Sequence, residues 1–311
     1  MEENAMKVEI CYPNFTKKAI TFTIDDGNVA MDEKLLSVVS PAGLRGTFNL
    51  CPNRMSTLSP AGYRAFYAGH EIANHMAYHP MALDPGRVYT VSDDPFDPAT
   101  ADPEKLYRTE RTGLYHMRAH RWLYAADRET YLAIAEESRL ALDEVFGEGS
   151  VRSFVYPYSR QKDDVIFDRL ASSGHYYGIR RTGAVRGADG FRIPAFPEWS
   201  YTADVTCLLP VAEEYAACPS DDGLKFFCFG VHSVDFENAG KWRELETFVT
   251  RYGGQPEKYY YAPVGEIFDY ASAAAMLRRE GDCLFNPSDR DLYLRMGGRE
   301  CVLTSGESFR K

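Results

Sequence analysis

Ala19-Ile20-Thr21-Phe22-Thr23-Ile24-Asp25-Asp26-Gly27 decides how the rest of the chain is read. Its first six residues are apolar or β-branched, the composition of a strand. Two adjacent carboxylates then stand at the strand's C-terminal end, the rim on which barrel active sites are built. Consecutive residues project differently where a strand ends, so one carboxylate can bind a metal while its neighbour faces a water as a base. Gly27 permits the tight turn that follows. Asp-Asp-Gly is also a common turn sequence, and its meaning depends on what the chain supplies elsewhere.

Outward from this stretch, strand-like runs recur at Leu44–Leu50, Val151–Tyr156 and Phe226–Val231. Between them, Met31–Val39, Thr130–Phe146, Asp163–Ser173, Trp242–Arg251 and Gly265–Arg278 carry apolar residues at helical spacing. This alternation predicts an α/β chain of parallel strands and crossover helices, a barrel or a doubly wound sheet. Two segments break the rhythm. From about Met81 to Asp127, Pro85, Pro95, Pro98 and Pro103 among aspartates mark an inserted surface excursion, turning helical near Tyr107–Tyr124. From Gly281 onward, Asn286-Pro287, Gly297-Gly298 and Gly306 separate short runs, which predicts a small β extension.

The 311 residues, 45% of them apolar, suffice for a large core and exclude a disordered or fibrous chain. A net charge of -10 and a pI near 5.3 repel phosphate, so nucleic acid and anionic lipid are not expected partners. No window approaches the length of a membrane span. The first twenty residues include Glu2, Glu3 and Glu9 and lack the apolar core of a secretory signal, which predicts a soluble, cytoplasmic chain. Seven scattered cysteines with no Cys-x-x-Cys pair read as reduced thiols.

The most informative partner of Asp25 and Asp26 is Gly69-His70-Glu71-Ile72-Ala73-Asn74-His75-Met76-Ala77-Tyr78-His79-Pro80. The four-residue spacing of His75 and His79 predicts two imidazoles on one face of a helical turn, sharing one metal. Asp26 would make a third ligand and leave positions open for water and substrate. A second pair, His116 and His120, lies in the excursion beside Arg118 and Arg121 and reads as a solvated helix face. His70 and His175 read as structural. Beyond the apolar run Phe226–Val231, His232 stands where it can protonate a leaving group, with Asp235 to orient it. Ser153–Ser159 ends a strand in a proline turn, where the Tyr158 backbone N–H can face a developing oxyanion.

Taken in order, Thr23-Ile24-Asp25-Asp26-Gly27, His75-x-x-x-His79-Pro80, Phe154-Val155-Tyr156-Pro157-Tyr158 and His232 resemble the polysaccharide deacetylase family with the NodB homology domain, over about residues 15–280. The resemblance implies a distorted, incomplete (β/α) barrel over 1–280, with the insertion at about 81–127 and the β-rich extension at 281–311. It implies metal-dependent removal of acetyl groups from a sugar amide or ester. Asp25 would be the base, Asp26, His75 and His79 the ligands, His232 the acid, and the Tyr158 N–H an oxyanion donor. Zinc is the default ion, and the mixed His/Asp set also suits cobalt, nickel or iron. Family members often carry an arginine where this chain has Val155, and Arg180 or Arg181 is expected to supply the missing charge near Asp25. The usual fourth-motif aspartate is not identifiable.

Expected partners are an acetylated carbohydrate or a small amide. Tyr156, Trp199 and Trp242 are candidates to stack on sugar rings or to be core. Two rival functions stand beside deacetylation: hydrolysis of a non-carbohydrate amide or cyclic imide by the same apparatus, and glycan binding without cleavage. Retention of both aspartates and all three histidines argues against the second. Neither the sugar, the choice between N- and O-acetyl, nor the oligomeric state follows from the sequence.

Overall fold

The computed structural model describes residues 7–117, 120–159, 163–176, 178–180, 191–192, 199–219, 223–281 and 283–310. The class is α/β, with parallel strands alternating with helices, the strands of an unclosed (β/α) barrel. The chain forms two compact units. The first comprises Met1–Phe48, Gly69–Glu71 and Gly183–Lys311, and the second Asn49–Ala68 and Ile72–Thr182.

In the first unit the strand Lys18–Asp26 runs parallel to Lys225–His232, in register from Lys18 opposite Lys225 to Asp25 opposite His232. Trp199–Ala203 extends the sheet beside Lys225–His232, and Tyr259–Tyr261 pairs with the start of Lys18–Asp26. Both central strands are almost wholly buried, which explains their near-continuous apolar sequence. Phe22 stacks on Phe229 at 5.4 Å, and Phe227 and Phe229 pack against Phe248 of the helix Trp242–Tyr252. Each fully buried phenylalanine contributes about 1.5–3 kcal/mol. The helix Val29–Val39 begins where the Asn28 side chain accepts a hydrogen bond from the Met31 N–H, satisfying a donor the helix cannot.

The segment after residue 280 is β structure, and its pairing includes a partner that the local pattern did not suggest. Leu292–Met296 lies between Arg299–Leu303 and the N-terminal strand Val8–Cys11, antiparallel to both. Asn286, fully buried, donates to the carbonyls of Arg290, Leu303 and Thr304 and so ties the segment before Leu292–Met296 to the end of Arg299–Leu303.

In the second unit Ser153–Val155 runs parallel to Gly178–Arg180, and Phe154 pairs with Asn74 at the end of the strand Glu71–Asn74. The helix Arg128–Phe146, capped by Asp127, buries Tyr131, Ile134 and Ala135 against Phe154 and Tyr156. The excursion corrects the expectation of a helix near Tyr107–Tyr124. It is a five-stranded sheet, ordered Pro80–Ala82, His120–Ala125, Leu114–Met117, Lys105–Arg108 and Thr90–Ser92. Its apolar residues meet across strands, Leu106 opposite Met117 and Leu114 opposite Ala125, and Leu83, Leu106, Met117 and Tyr124 form a small core of their own. Cross-strand partners far apart in sequence leave no mark on local periodicity. Among the described residues, no helix is long and apolar enough to cross a membrane.

His70 is structural. Burial, assisted by the nearby Arg45 charge, lowers its pKa to about 4, and its Nδ1 accepts from the Gly46 N–H at 3.2 Å. A Cβ at Gly46 would lie 2.3 Å from the Phe22 ring. Gly46→Ala is therefore expected to cost about 1–3 kcal/mol through overpacking, measured as a lower midpoint of chemical denaturation with an unchanged slope.

Candidate active site

The first unit carries a carboxylate and imidazole cluster. Parallel strands in register end side by side, so Asp25 and His232 arrive as neighbours because each closes its strand. Asp25 is buried, and Asp26 and Gly27 follow with left-handed φ angles of 79° and 73°, turning the chain sharply. His232 Nδ1 lies 2.9 Å from Asp235 Oδ2, which also accepts the His232 backbone N–H at 2.8 Å. With Nδ1–H donated to Asp235, Nε2 is the nitrogen left for chemistry, and it lies 3.9 Å from Asp26 Oδ2. The hydrogen bond to Asp235 raises the His232 pKa, burial works against it, and Asp25, Asp235 and Asp26 add to the rise, leaving it at about 8. Burial works to raise the Asp235 carboxyl, and the hydrogen bonds from His232 outweigh it, so that its pKa is lowered.

The second unit carries the histidine pair, and here the helical-turn expectation is corrected. Residues 75–79 are a loop following the strand Glu71–Asn74, with Met76, Tyr78 and His79 all left-handed at φ 61°, 64° and 50°. Pro80 rules out a helical turn through His79, because the residue before a proline is driven out of the right-handed helical region. Successive loop N–H groups are taken by side chains: Met76 donates to Asn74 Oδ1 at 2.9 Å, Ala77 to Ser138 Oγ at 2.8 Å and Tyr78 to Asn53 Oδ1 at 2.9 Å. These bonds offset a backbone cost of about 1–2 kcal/mol for each left-handed non-glycine residue.

His75 Nδ1 lies 2.8 Å from the Val155 carbonyl oxygen, which only an N–H can satisfy. That assigns the proton to Nδ1 and leaves Nε2 as a lone-pair donor, the arrangement usual for metal-ligating histidines. His75 Nε2 and His79 Nε2 approach to 3.0 Å. A tetrahedral zinc with bonds of about 2.0–2.1 Å would hold two nitrogens about 3.3 Å apart. The two buried imidazoles each offer one nitrogen, a pair of donors that suits a divalent transition-metal ion. Tyr158 also has a left-handed φ of 59°, and its ring meets His79 edge-on at 4.3 Å.

The remaining candidates divide. Tyr156 is fully buried in the second unit's core, packed on Phe154 and Tyr131, so of its two readings the core one holds. Arg180 is buried on its strand directly opposite Val155 in the ladder. Arg181 and the Trp199 side chain lie outside the described residues. Trp242 packs against Phe236, donates to Glu237 and carries Lys34 over its ring. His116 and His120 sit on neighbouring strands rather than one helix face, and His116 stacks on Phe96 at 4.4 Å. Asn53, Asn74 and Ser138, which hold the histidine loop, were not singled out in the sequence. Only Asn74, beside His75 at a strand end, had a local signal, the affinity of asparagine for turns.

A family model described as polysaccharide deacetylase matches residues 13–177, just over half of the chain. The chain belongs to the polysaccharide deacetylase family. Similar solved structures include a polysaccharide deacetylase from Bacillus cereus, 12% identical over 80% of this chain and 93% of that one, with a TM-score of 0.44. A carbohydrate esterase from Streptococcus mutans is 14% identical over 82% and 92%, with a TM-score of 0.44. A pseudoenzyme of the same esterase family from Bacillus anthracis is 13% identical over 84% and 68%, with a TM-score of 0.41. These likenesses assign no residue here. No curated protein matches the chain.

The geometry at His232 is testable without substrate. In metal-free protein its imidazole is expected to titrate near pH 8 by NMR, and Asp235→Asn should lower that value, because the largest contribution to the rise is removed. A titration unmoved by the substitution contradicts the assigned role of Asp235.

Proposed function

We propose that this family member is a metal-dependent hydrolase that removes acetyl groups from an N- or O-acetylated sugar or oligosaccharide. Asp26, His75 and His79 hold the ion, zinc by default and cobalt, nickel or iron within the reach of the same donor set. When bound, the ion supplies a Lewis acid for the acetyl carbonyl and lowers the pKa of water toward neutrality. Asp25 accepts the proton of the water that attacks the carbonyl carbon. The Tyr158 backbone N–H donates to the carbonyl oxygen as it gains charge. His232 gives its Nε2 proton to the departing amine or alcohol as the acyl bond breaks, leaving acetate. Asp235 keeps the imidazole charged and oriented through Nδ1.

The observation that carries this reading is Asp25, a buried carboxylate, paired across the ladder with His232, an imidazole whose pKa is raised by its hydrogen bond to Asp235. A base and an acid held side by side, one needing to lose and one to keep its proton, are what acyl hydrolysis uses. The substrate class is the family's.

Purified protein loaded with zinc is expected to release acetate from acetylated sugars. Asp25→Asn should keep the metal and lose about 10²–10⁴-fold in turnover, whereas His75→Ala should lose both metal and turnover. Full turnover by Asp25→Asn, or bound metal with no acetate release from N- or O-acetylated sugars, would overturn the proposal.

A further inference from the structure

The excursion sheet is placed to do more than cover surface. Its first strand, Pro80–Ala82, begins directly after His79, and it pairs in parallel with the last strand, Pro80 opposite Leu123, Met81 opposite Tyr124 and Ala82 opposite Ala125. Trp122 therefore stands one residue ahead of the position that faces Pro80. Its ring stacks on Tyr158, with centroids 4.2 Å apart and planes within 25°. Tyr158 meets His79 edge-on at 4.3 Å, and His79 meets His75 edge-on at 4.6 Å. Four rings thus run in sequence from His75 to Trp122. Trp122 also packs against the excursion's own core of Leu83, Leu106, Met117 and Tyr124. The excursion reaches the same loop a second time through Arg111, whose guanidinium lies 4.9 Å over the Tyr78 ring and pairs with Glu137 of the Arg128–Phe146 helix.

Tyr78, His79 and Tyr158 are all left-handed and none is glycine. Bulky residues hold such conformations only when their surroundings over-determine them. We propose that Trp122 is a positioning residue, the plate by which the excursion sheet clamps the turns of His79 and Tyr158 in the geometry that metal binding and oxyanion stabilisation require. The inference rests on the reading of His79 as a ligand and of the Tyr158 N–H as a donor. It assigns the excursion a mechanical part in the reaction, acting through two residues that Trp122 braces.

The test compares Trp122→Ala and Trp122→Phe with the unaltered full chain, by zinc dissociation constant from chelator competition and by kcat and KM for an acetylated oligosaccharide. Loss of the plate is expected to weaken zinc binding about tenfold or more, the size usual when a ligand's orienting partner is removed, and to lower kcat while KM changes little. Trp122→Phe, which keeps an aromatic plate, is expected to recover most of both. Zinc affinity and kcat unchanged in Trp122→Ala would overturn the proposal, as would a phenylalanine variant no better than the alanine one. Should Trp122→Ala fail to fold, Trp122→Leu, apolar but without a flat ring, carries the same expectations and the same refutation. If the unaltered chain itself takes up no zinc while remaining folded, the reading of His79 fails first and this proposal falls with it.

Discussion

The in-register parallel ladder between Lys18–Asp26 and Lys225–His232 is the constraint on which the first unit depends. A slip of one residue would break the stacking of Phe22 on Phe229 and separate Asp25 from His232. The register is secured at the end remote from the chemistry. There the Lys225 N–H donates to the Lys17 carbonyl, and the buried Tyr215 hydroxyl bonds the carbonyls of Ala19 and Lys225. At the opposite end both strands run out together, and residues that close a strand become residues of the site. Asp25 and His232 are neighbours as a consequence of sheet geometry.

The second unit solves a different problem. Its two histidines lie on irregular backbone, where no ladder fixes position, and hydrogen bonds from side chains take that place. Asn53, Asn74 and Ser138 satisfy three successive N–H groups, the Val155 carbonyl sets the tautomer of His75, and aromatic rings pack against His79. Each partner comes from a different element, so the loop's shape is a property of the folded unit rather than of the five residues themselves. Such a loop can hold left-handed residues that an isolated peptide would abandon.

The same contrast explains what was legible in the sequence. The strand ending in Asp25-Asp26-Gly27, the run ending in His232 and helices such as Arg128–Phe146 follow from local composition and periodicity, and the structure places them within a few residues of expectation. The spacing of His75 and His79 also looked periodic, but the proline after His79 outweighed it, and two of the partners that shape the loop lie 25 and 61 residues away from it. The local pattern of the excursion suggests a partial helix where the structure has strands, because its apolar residues pair across strands. The strand Val8–Cys11 was passed over because its partner lies at the other end of the chain. Local pattern reports what neighbours in sequence do, and these features are made by neighbours in space.

The central proposal is that Asp26, His75 and His79 bind one divalent ion. The most direct measurement is anomalous diffraction at the zinc edge from crystals of the full chain grown with zinc. The account predicts a single strong peak bonded to His75 Nε2, His79 Nε2 and an Asp26 carboxylate oxygen, with His232 outside the coordination sphere. A peak bonded to His232 instead, or zinc bound only at surface residues with His75 and His79 left bare, would contradict it.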